Sequence, residues 1–191
     1  MKLLEDRILK DGKVFAGDIL KVSHFLNHQI DSDLMMEIGK EIAELYKDEK
    51  ITKVLTVEAS GIAIALATGA AMHVPAVFAK KHNTSNIKSG VYSAVVYSYT
   101  HERNYNIVVS DEFLCPDDRV LIVDDLLARG NALIGLTEIV KSAGAQVVGC
   151  AVAIEKYFQH GGDMLRDKGL RVESLACIES MDDNNIVYHR F

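Results

Sequence analysis

Apolar residues recur along the chain at two spacings, and each spacing predicts a different kind of element. A helix capped by Asp31 or Ser32 is predicted where apolar positions fall four, four and three residues apart, at Leu34, Ile38, Ile42 and Leu45. Short apolar runs predict strands at 53–57, 75–79, 119–124 and 147–154, with shorter closing strands at 170–178 and 186–189. Further helices are predicted at 2–10, 61–72 and 131–143, the last followed by Gly144 as its C-terminal glycine.

The order of these elements indicates an α/β fold with a mostly parallel sheet. Strand, helix and strand follow one another between residues 53 and 79, and such a unit forms a right-handed crossover between parallel strands. The run 119–124 holds four large aliphatic residues in a row, which is typical of a strand buried on both faces. No repeat, linker or low-complexity segment interrupts the chain, so we expect one domain over residues 1–191.

Two segments do not follow this pattern. Residues 18–30 mix polar and apolar positions without a clear period and predict an irregular stretch. Residues 92–99 and 107–109 predict two strands joined around 101–104, so that the segment 82–110 forms either a capping hairpin or a flexible flap.

Composition and charge narrow the class of protein. The net charge of −6 disfavours a broad nucleic-acid-binding face but leaves room for a local basic cluster that binds a phosphorylated ligand. Three widely spaced cysteines favour neither a disulfide framework nor a zinc site, and none of the seven histidines shows a metal-binding spacing. The uncharged run 59–79 is interrupted by Pro75 and rich in alanine, so we expect no membrane span and a cytoplasmic location.

The most informative stretch lies between residues 120 and 132. A buried strand leads directly into Asp124 and Asp125, and a short loop with Gly130 then opens the next helix. Free backbone N–H groups and the helix dipole favour a phosphate at such an edge, whereas the carboxylates suit hydroxyl groups or a metal ion. The stretch therefore predicts a site for a sugar phosphate, unless the acids merely cap the turn. It matches neither the dinucleotide-binding fingerprint nor the Walker loop.

A second turn of the same kind follows the strand at 53–57. The residues 58–61 include small side chains that let backbone amides approach an anion, although an ordinary strand-to-helix turn would look the same. Lys80 and Lys81 follow the next strand, where either could reach that anion or both could be solvated. Two such turns on one sheet would suit a ligand with two phosphate ends.

The stretch 120–132 resembles the signature of the type I phosphoribosyltransferases, which bind 5-phosphoribosyl 1-diphosphate (PRPP). The resemblance extends over the whole chain in length and in order of elements. Within that family it is strongest to the bacterial xanthine phosphoribosyltransferases, through the segments 20–22, 25–31, 58–63 and 154–159. It implies the type I fold, with a hood formed by residues 1–30 and the C-terminal segment, and a flap over about 82–110.

The resemblance also implies roles for particular residues. Asp124 and Asp125 would bind the ribose hydroxyls as the catalytic pair. The PRPP-binding residues would be Ala128, Arg129, Gly130, Asn131 and Ala132 at the 5′-phosphate, and Glu58, Ala59, Ser60, Gly61 and Lys81 at the pyrophosphate. The purine-binding residues would be Leu20, Asn27, Lys156 and Phe158. Lys156 follows a predicted strand at the rim where α/β sites form, and a lysine there donates to a ring carbonyl oxygen.

The activity implied is transfer of the phosphoribosyl group from PRPP to xanthine, with magnesium carried by PRPP rather than by a protein site, in a symmetric dimer. Ala128 departs from the hypoxanthine–guanine enzymes, which have an acid at that place, and this leaves the general base unassigned. Adenine and hypoxanthine–guanine phosphoribosyltransferases remain alternatives, because a small residue at 128 also occurs in adenine enzymes. A PRPP-sensing regulator on the same fold is a further alternative, although 191 residues leave no room for a DNA-binding module.

Overall fold

The computed structural model describes residues 1–16, 18–82, 90–98, 103–182 and 185–190. The helices are α1 (Lys2–Asp11), α2 (Ser32–Leu45), α3 (Gly61–Met72), α4 (Asn131–Ser142) and α5 (Gly161–Asp167). The strands are β1 (Lys13–Phe15), β2 (Ile19–Lys21), β3 (Lys53–Val57), β4 (Ala76–His82), β5 (Val91–Ser98), β6 (Arg103–Ser110), β7 (Arg119–Leu127), β8 (Gln146–Lys156), β9 (Val172–Asp182) and β10 (Asn185–Tyr188).

Within the described ranges, eight strands form a sheet in the order β10-β9-β8-β7-β3-β4-β6-β5. The five strands from β9 to β4 run parallel, whereas β10, β6 and β5 each pair antiparallel with their neighbours. The predicted parallel β3–α3–β4 unit and the α/β fold class are therefore confirmed. Because the central strands are parallel, their carboxyl ends meet at one edge, and this is where the predicted site residues gather.

The central strand β7 is buried on both faces, as its aliphatic run predicts. Leu121 and Val123 pack on the face that carries α2 and α3, while Val120 and Ile122 pack on the face that carries α4. Successive side chains of a strand point to opposite faces, so the residues that follow Val123 in β7 should alternate in the same way. The strand ends at Leu127, three residues later than the predicted end at Asp124.

The boundaries of the other helices and strands agree with the sequence pattern to different degrees. The predicted bounds of β3 and α3 are confirmed, and Asp31 caps α2 by accepting the Leu34 N–H at 3.1 Å. Two features were not predicted: the hairpin of β1 and β2, which lies in part within the stretch expected to be irregular, and α5. Helix α5 is short and begins with two glycines, which as a sequence pattern indicate a loop.

The described strands of the predicted flap belong to the main sheet. Its strands β5 and β6 pair antiparallel over residues 91–98 and 103–110, and β6 also pairs with the end of β4. The base of this hairpin packs on α4, where a side chain at Gly135 would lie 2.6 Å from Val96 Cγ2. The rest of the flap prediction, at 83–89 and 99–102, lies outside the described residues.

An ion pair joins the N-terminal and C-terminal segments that are predicted to form the hood. The buried carboxylate of Glu5 accepts hydrogen bonds from the guanidinium of Arg190, the longer of them 2.8 Å. The Tyr188 hydroxyl donates to the backbone oxygen of Glu5 at 3.1 Å. The hydrogen bond and the charge of Arg190 lower the pKa of Glu5 against the effect of burial.

A buried carboxylate stabilises the opposite edge of the sheet. Asp118, just before β7, accepts hydrogen bonds from three groups: the Thr52 hydroxyl at 2.8 Å, the Lys53 ammonium at 2.8 Å and the Cys115 amide at 2.9 Å. Burial acts to raise the pKa of this carboxyl, but these hydrogen bonds together hold its pKa at about 2.

We expect the stability of the fold to fall in acid through Asp118. Because its pKa is lowered from 3.8 to about 2, its contribution is complete above about pH 4 and is lost as pH falls toward 2. The shift corresponds to about 2 kcal/mol of unfolding free energy. Urea unfolding between pH 2 and 5 should show this loss in the wild type and in Asp117→Asn, an exposed neighbour, but not in Asp118→Asn. Equal pH dependence in all three proteins would contradict the assignment.

Candidate active site

The two acids at the end of β7 face different surroundings. Asp124 lines a cavity of about 640 Å³ at the carboxyl edge of the sheet. Asp125 points to the other face, where its carboxylate accepts hydrogen bonds from Asn27 Nδ2 and Ser60 Oγ, each at 2.9 Å. This is the alternation expected of adjacent strand residues. Both side chains are buried, but only Asp124 belongs to the lining of this cavity.

Burial and charge act together on Asp124. Its Oδ1 accepts the backbone N–H of Asp125 at 2.9 Å. Burial, followed by the neighbouring charge of Asp125, raises the pKa of Asp124 well above its usual value, and Lys81 acts in the opposite direction. A Cβ atom at Gly61 would lie 3.1 Å from Asp124 Oδ1 and 1.9 Å from Thr56 Oγ1, so only a glycine fits at the start of α3 beside this carboxylate.

The predicted phosphate loop forms another wall of the same cavity. All five residues from Ala128 to Ala132 line it. Gly130 caps α4 with a φ of 81°, a conformation that favours glycine. The first turn of α4, where a helix leaves backbone N–H groups available to a ligand, therefore borders the cavity, and such a helix start suits a phosphate group.

Helix α5 supports this loop from behind. The Gly161 N–H donates to the Ala128 oxygen at 3.1 Å, and a Cβ at Gly161 would lie 2.2 Å from that oxygen. A Cβ at Gly162 would lie 1.8 Å from Glu155 Oε1, the end of a buried carboxylate on β8. The glycine pair thus lets α5 approach both the loop and β8. The glycine pair Gly161-Gly162 is visible in the sequence, but on its own such a pair indicates a break in the chain rather than the start of a packed helix.

The turn at residues 58–61 lies beside the end of β4. The Glu58–Ala59 peptide bond is cis, and Ser60 is the first residue before α3. The Glu58 carboxylate accepts the backbone N–H of Lys81 at 2.7 Å, so its contact ties the turn to β4. The exposed Lys81 ammonium lies 5.4 Å from the centre of the Tyr105 ring. Ala59 and Ser60, with Asn27, line a second cavity of about 590 Å³.

Lys156 and Asn27 line these cavities, whereas the other two residues predicted to contact the purine pack in or against the core. Lys156 lines the first cavity, and its ammonium donates to the backbone oxygen of Asp18 at 2.7 Å. Burial lowers the pKa of Lys156, and Asp18 acts against this effect. Leu20 is buried in the core, and the half-buried Phe158 packs against the same core. Neither belongs to the lining of the two cavities, and their purine contacts stay a prediction.

Several residues that the sequence did not single out also line the first cavity: Asp18, Ile19, Tyr97, Tyr105 and Gln159. Tyr105 is the most informative of them, because burial and the charge of Asp124 raise the pKa of its hydroxyl. The Asn131 amide donates to the Tyr97 backbone oxygen at 3.1 Å and so joins the phosphate loop to β5. No motif marks these tyrosines, since strands at the edge of a sheet are rich in aromatic residues for many reasons.

Two searches of the described part of the chain bear on the class of site. No three histidine, cysteine or carboxylate side chains there are grouped as a metal site would require. No helix in the same residues is both long and apolar enough to cross a membrane.

Comparisons with known proteins identify the class. Residues 25–188 match the phosphoribosyl transferase domain family. The chain therefore belongs to the phosphoribosyltransferase family. The xanthine phosphoribosyltransferase of Ligilactobacillus salivarius (strain UCC118) is 51% identical over 186 residues, which cover 97% of each chain. That of Brevibacillus brevis is 53% identical over 186 residues, covering 97% of this chain and 95% of the relative. The chain groups with these xanthine phosphoribosyltransferases, as its motifs predict.

Solved structures agree on the fold. The APRTase of Giardia lamblia, complexed with 9-deazaadenine, superposes with a TM-score of 0.77 over 93% of this chain and 98% of that one, at 22% identity. The adenine phosphoribosyl transferase of Trypanosoma brucei gives a TM-score of 0.76 over 91% of this chain and 79% of that one, at 19% identity. At such low identity the likeness shows the fold alone and does not indicate which base this chain binds.

Proposed function

We propose that the protein is a purine salvage enzyme that transfers the 5-phosphoribosyl group from PRPP to xanthine, giving xanthosine 5′-monophosphate and pyrophosphate. The observation that carries this proposal is one cavity lined by Asp124, by the loop 128–132 and by Lys156. These groups supply a carboxylate for hydroxyls, backbone amides for a phosphate and an ammonium for a ring carbonyl oxygen. They are the groups that the two substrates require.

In this reaction a ring nitrogen of the base forms a bond to the anomeric carbon of the ribose. The bond from that carbon to the pyrophosphate oxygen breaks, and pyrophosphate leaves with the electron pair. The imidazole N–H proton of the base is released in the same reaction, to the departing pyrophosphate or to solvent. Positive charge develops at the anomeric carbon, so catalysis consists mainly of positioning and of charge stabilisation. The amides of loop 128–132 would hold the 5′-phosphate, Asp124 would accept from a ribose hydroxyl, and the turn 58–61 with Lys81 would face the pyrophosphate.

We expect magnesium to enter the site on PRPP, where it would neutralise charge on the pyrophosphate. Among the described residues, the carboxylates that line the cavity are those of Asp18 and Asp124, whereas a magnesium site made only of protein groups needs several oxygen ligands. Calorimetry with magnesium chloride should show no tight binding in the absence of PRPP. Tight binding of the metal to the protein alone would contradict this expectation.

The Asp124→Asn variant tests the sugar-phosphate part of the proposal. A charge-assisted hydrogen bond to a ribose hydroxyl is worth roughly 1.5–3 kcal/mol. The variant should therefore show either a rise in KM for PRPP or a fall in kcat/KM for PRPP of roughly 10- to 150-fold. The measurement is formation of xanthosine 5′-monophosphate and pyrophosphate from xanthine, PRPP and magnesium. Asp117→Asn, which changes an exposed acid outside the site, is the control. Unchanged constants for PRPP in Asp124→Asn would overturn the assignment.

The choice of base rests on Lys156. An ammonium group only donates hydrogen bonds, so it favours the carbonyl oxygen of an oxo-purine and disfavours the amine of adenine. Hypoxanthine and guanine share one carbonyl with xanthine, so Lys156 alone does not separate these three bases, and Asn27 would have to contribute. We expect xanthine to be used better than guanine and hypoxanthine, with adenine essentially refused.

We further propose that the enzyme is a symmetric homodimer in the cytoplasm. Leu66 on α3 is 66% exposed and Phe78 on the neighbouring β4 is 39% exposed, and a second copy would cover such apolar side chains. The three cysteines are free thiols, which fits a reducing compartment. Sedimentation should give a species of twice 21.1 kDa, and Leu66→Glu should favour the monomer. A wild-type protein that sediments only at 21.1 kDa would contradict the dimer.

A further inference from the structure

The carboxylate of Asp125 is held from two sides by distant parts of the chain. Its Oδ2 accepts from Asn27, in the segment between β2 and α2, and its Oδ1 accepts from Ser60, just before α3. These partners are 98 and 65 residues away in sequence. Both oxygens have a partner and the side chain is buried, so the three groups form one chain of hydrogen bonds.

This chain fixes the orientation of the Asn27 amide. A carboxylate only accepts hydrogen bonds, so Asn27 must turn its NH₂ group toward Asp125. The carbonyl oxygen of the same amide is then not engaged by Asp125, and it can only accept hydrogen bonds. Oxo-purines carry a hydrogen on the ring nitrogen next to their 6-carbonyl, whereas adenine has none at that atom. An acceptor at Asn27 therefore selects in the same direction as the ammonium of Lys156.

We propose that Asp125 is a positioning residue that couples recognition of the base at Asn27 to the turn at Ser60. The Ser60 hydroxyl orients the carboxylate, and the carboxylate orients the Asn27 amide with its oxygen toward the base. Asp124 and Asp125 then have unequal roles, since Asp124 faces the cavity and Asp125 acts through its two partners. The substrate part of this inference rests on the proposed function, whereas the hydrogen-bond chain does not.

The alternative is that Asp125 serves only as a ligand of the ribose. In that case Ser60 and Asn27 would contribute independently, and a change at Ser60 would leave the environment of the Asn27 amide unaltered. The two accounts therefore differ in whether an effect passes from Ser60 to Asn27 through the carboxylate.

The first test uses the protein without ligands. The side-chain amide resonances of Asn27, assigned by their loss in Asn27→Ala, are compared between the wild type and three serine variants. We expect them to shift in Ser60→Ala and to return toward the wild-type position in Ser60→Thr, which restores a hydroxyl donor. Ser142→Ala, which removes an exposed hydroxyl on α4, should leave them in place. Unshifted Asn27 resonances in Ser60→Ala would overturn the proposal.

The second test is a double-mutant cycle on KM for xanthine. We expect Ser60→Ala to raise this KM about 3- to 10-fold, the effect of one lost hydrogen bond. In the Asp125→Asn background the same Ser60→Ala change should have no further effect. If the fold-changes in KM for xanthine that Ser60→Ala and Asp125→Asn each cause multiply in the double variant, the coupling is overturned. A wild-type protein that does not use xanthine would instead overturn the proposed function, and the resonance test would still decide the coupling.

Discussion

The Lys156→Met variant should lose most of its activity with xanthine while it binds PRPP as well as the wild type does. Lys156 lines the cavity, and a methionine side chain has similar length without a donor or a charge. Loss of a hydrogen bond from a charged donor to the base corresponds to a fall in kcat/KM of roughly 10- to 150-fold. Steady-state kinetics with xanthine, together with calorimetry of PRPP binding, measures both quantities.

The pH dependence of the same variant gives an independent check. Burial lowers the pKa of Lys156, so its charge is lost at a lower pH than that of an exposed lysine. In the wild type, kcat/KM for xanthine should therefore fall on the alkaline side, and this limb should be absent in Lys156→Met. Lys168→Met, at the exposed end of α5, should behave as the wild type does. Equal loss of PRPP binding and xanthine activity in Lys156→Met would contradict a role confined to the base.

The Arg166→Met variant should show the largest loss of stability. Glu155 on β8 is almost fully buried, and both guanidinium nitrogens of Arg166 bind its carboxylate, at 3.1 and 2.9 Å. The Ser174 hydroxyl also donates to it. Without the arginine the carboxylate would be buried with its charge unpaired, and breaking such a pair costs about 3–5 kcal/mol. Urea unfolding at neutral pH measures the change.

A double variant separates charge from packing. Glu155→Gln combined with Arg166→Met removes both charges and should recover most of the stability that Arg166→Met loses. Lys40→Met, which breaks an exposed ion pair with Glu37 on α2, should change stability little. If the double variant is no more stable than Arg166→Met, the unpaired charge is not the cause. The same ion pair holds α5 against β8, so PRPP binding should weaken in parallel through the loop at Ala128.

The sequence predicted the site best where backbone chemistry and local composition agree. The buried run of β7, the two acids and Gly130 sufficed to predict a glycine-containing loop that leads from the strand into a helix, and the structure has this loop. That the loop binds a phosphate stays a prediction. Gly130 takes the positive φ of the cap, and Gly61 fits beside Asp124 because it has no side chain. These features depend on neighbouring residues, so they are visible in a single sequence.

What the sequence did not predict depends on contacts between distant segments. Helix α5 forms because Gly161 and Gly162 fit against Ala128 and Glu155, whereas the glycine pair alone indicates a break. The strand was expected to end at Asp124, and its continuation to Leu127 is what sends Asp125 to the opposite face from Asp124. The links of Asp125 to Asn27 and Ser60 span 98 and 65 residues, and no local pattern reports them.

The structure brings the residues predicted to bind the purine together less completely than those predicted to bind PRPP. Lys156 and Asn27 each line a cavity, but Leu20 is buried in the core and the half-buried Phe158 packs against it. Both are apolar residues near strand ends, and their sequence pattern does not distinguish packing in the core from contact with a flat base. Tyr105 is the opposite case, a residue beside Asp124 that the sequence did not predict. Its position follows from the pairing of β6 with β4 rather than from any motif.

The measurement that tests the central claim most directly is a single assay of the wild-type protein with PRPP, magnesium and each of four purines in turn. The assignment of Lys156 and Asn27 predicts that xanthine is the best acceptor, that guanine and hypoxanthine follow, and that adenine is essentially refused. Adenine as the best acceptor would contradict the assignment of the base and would leave only the fold and the PRPP site standing.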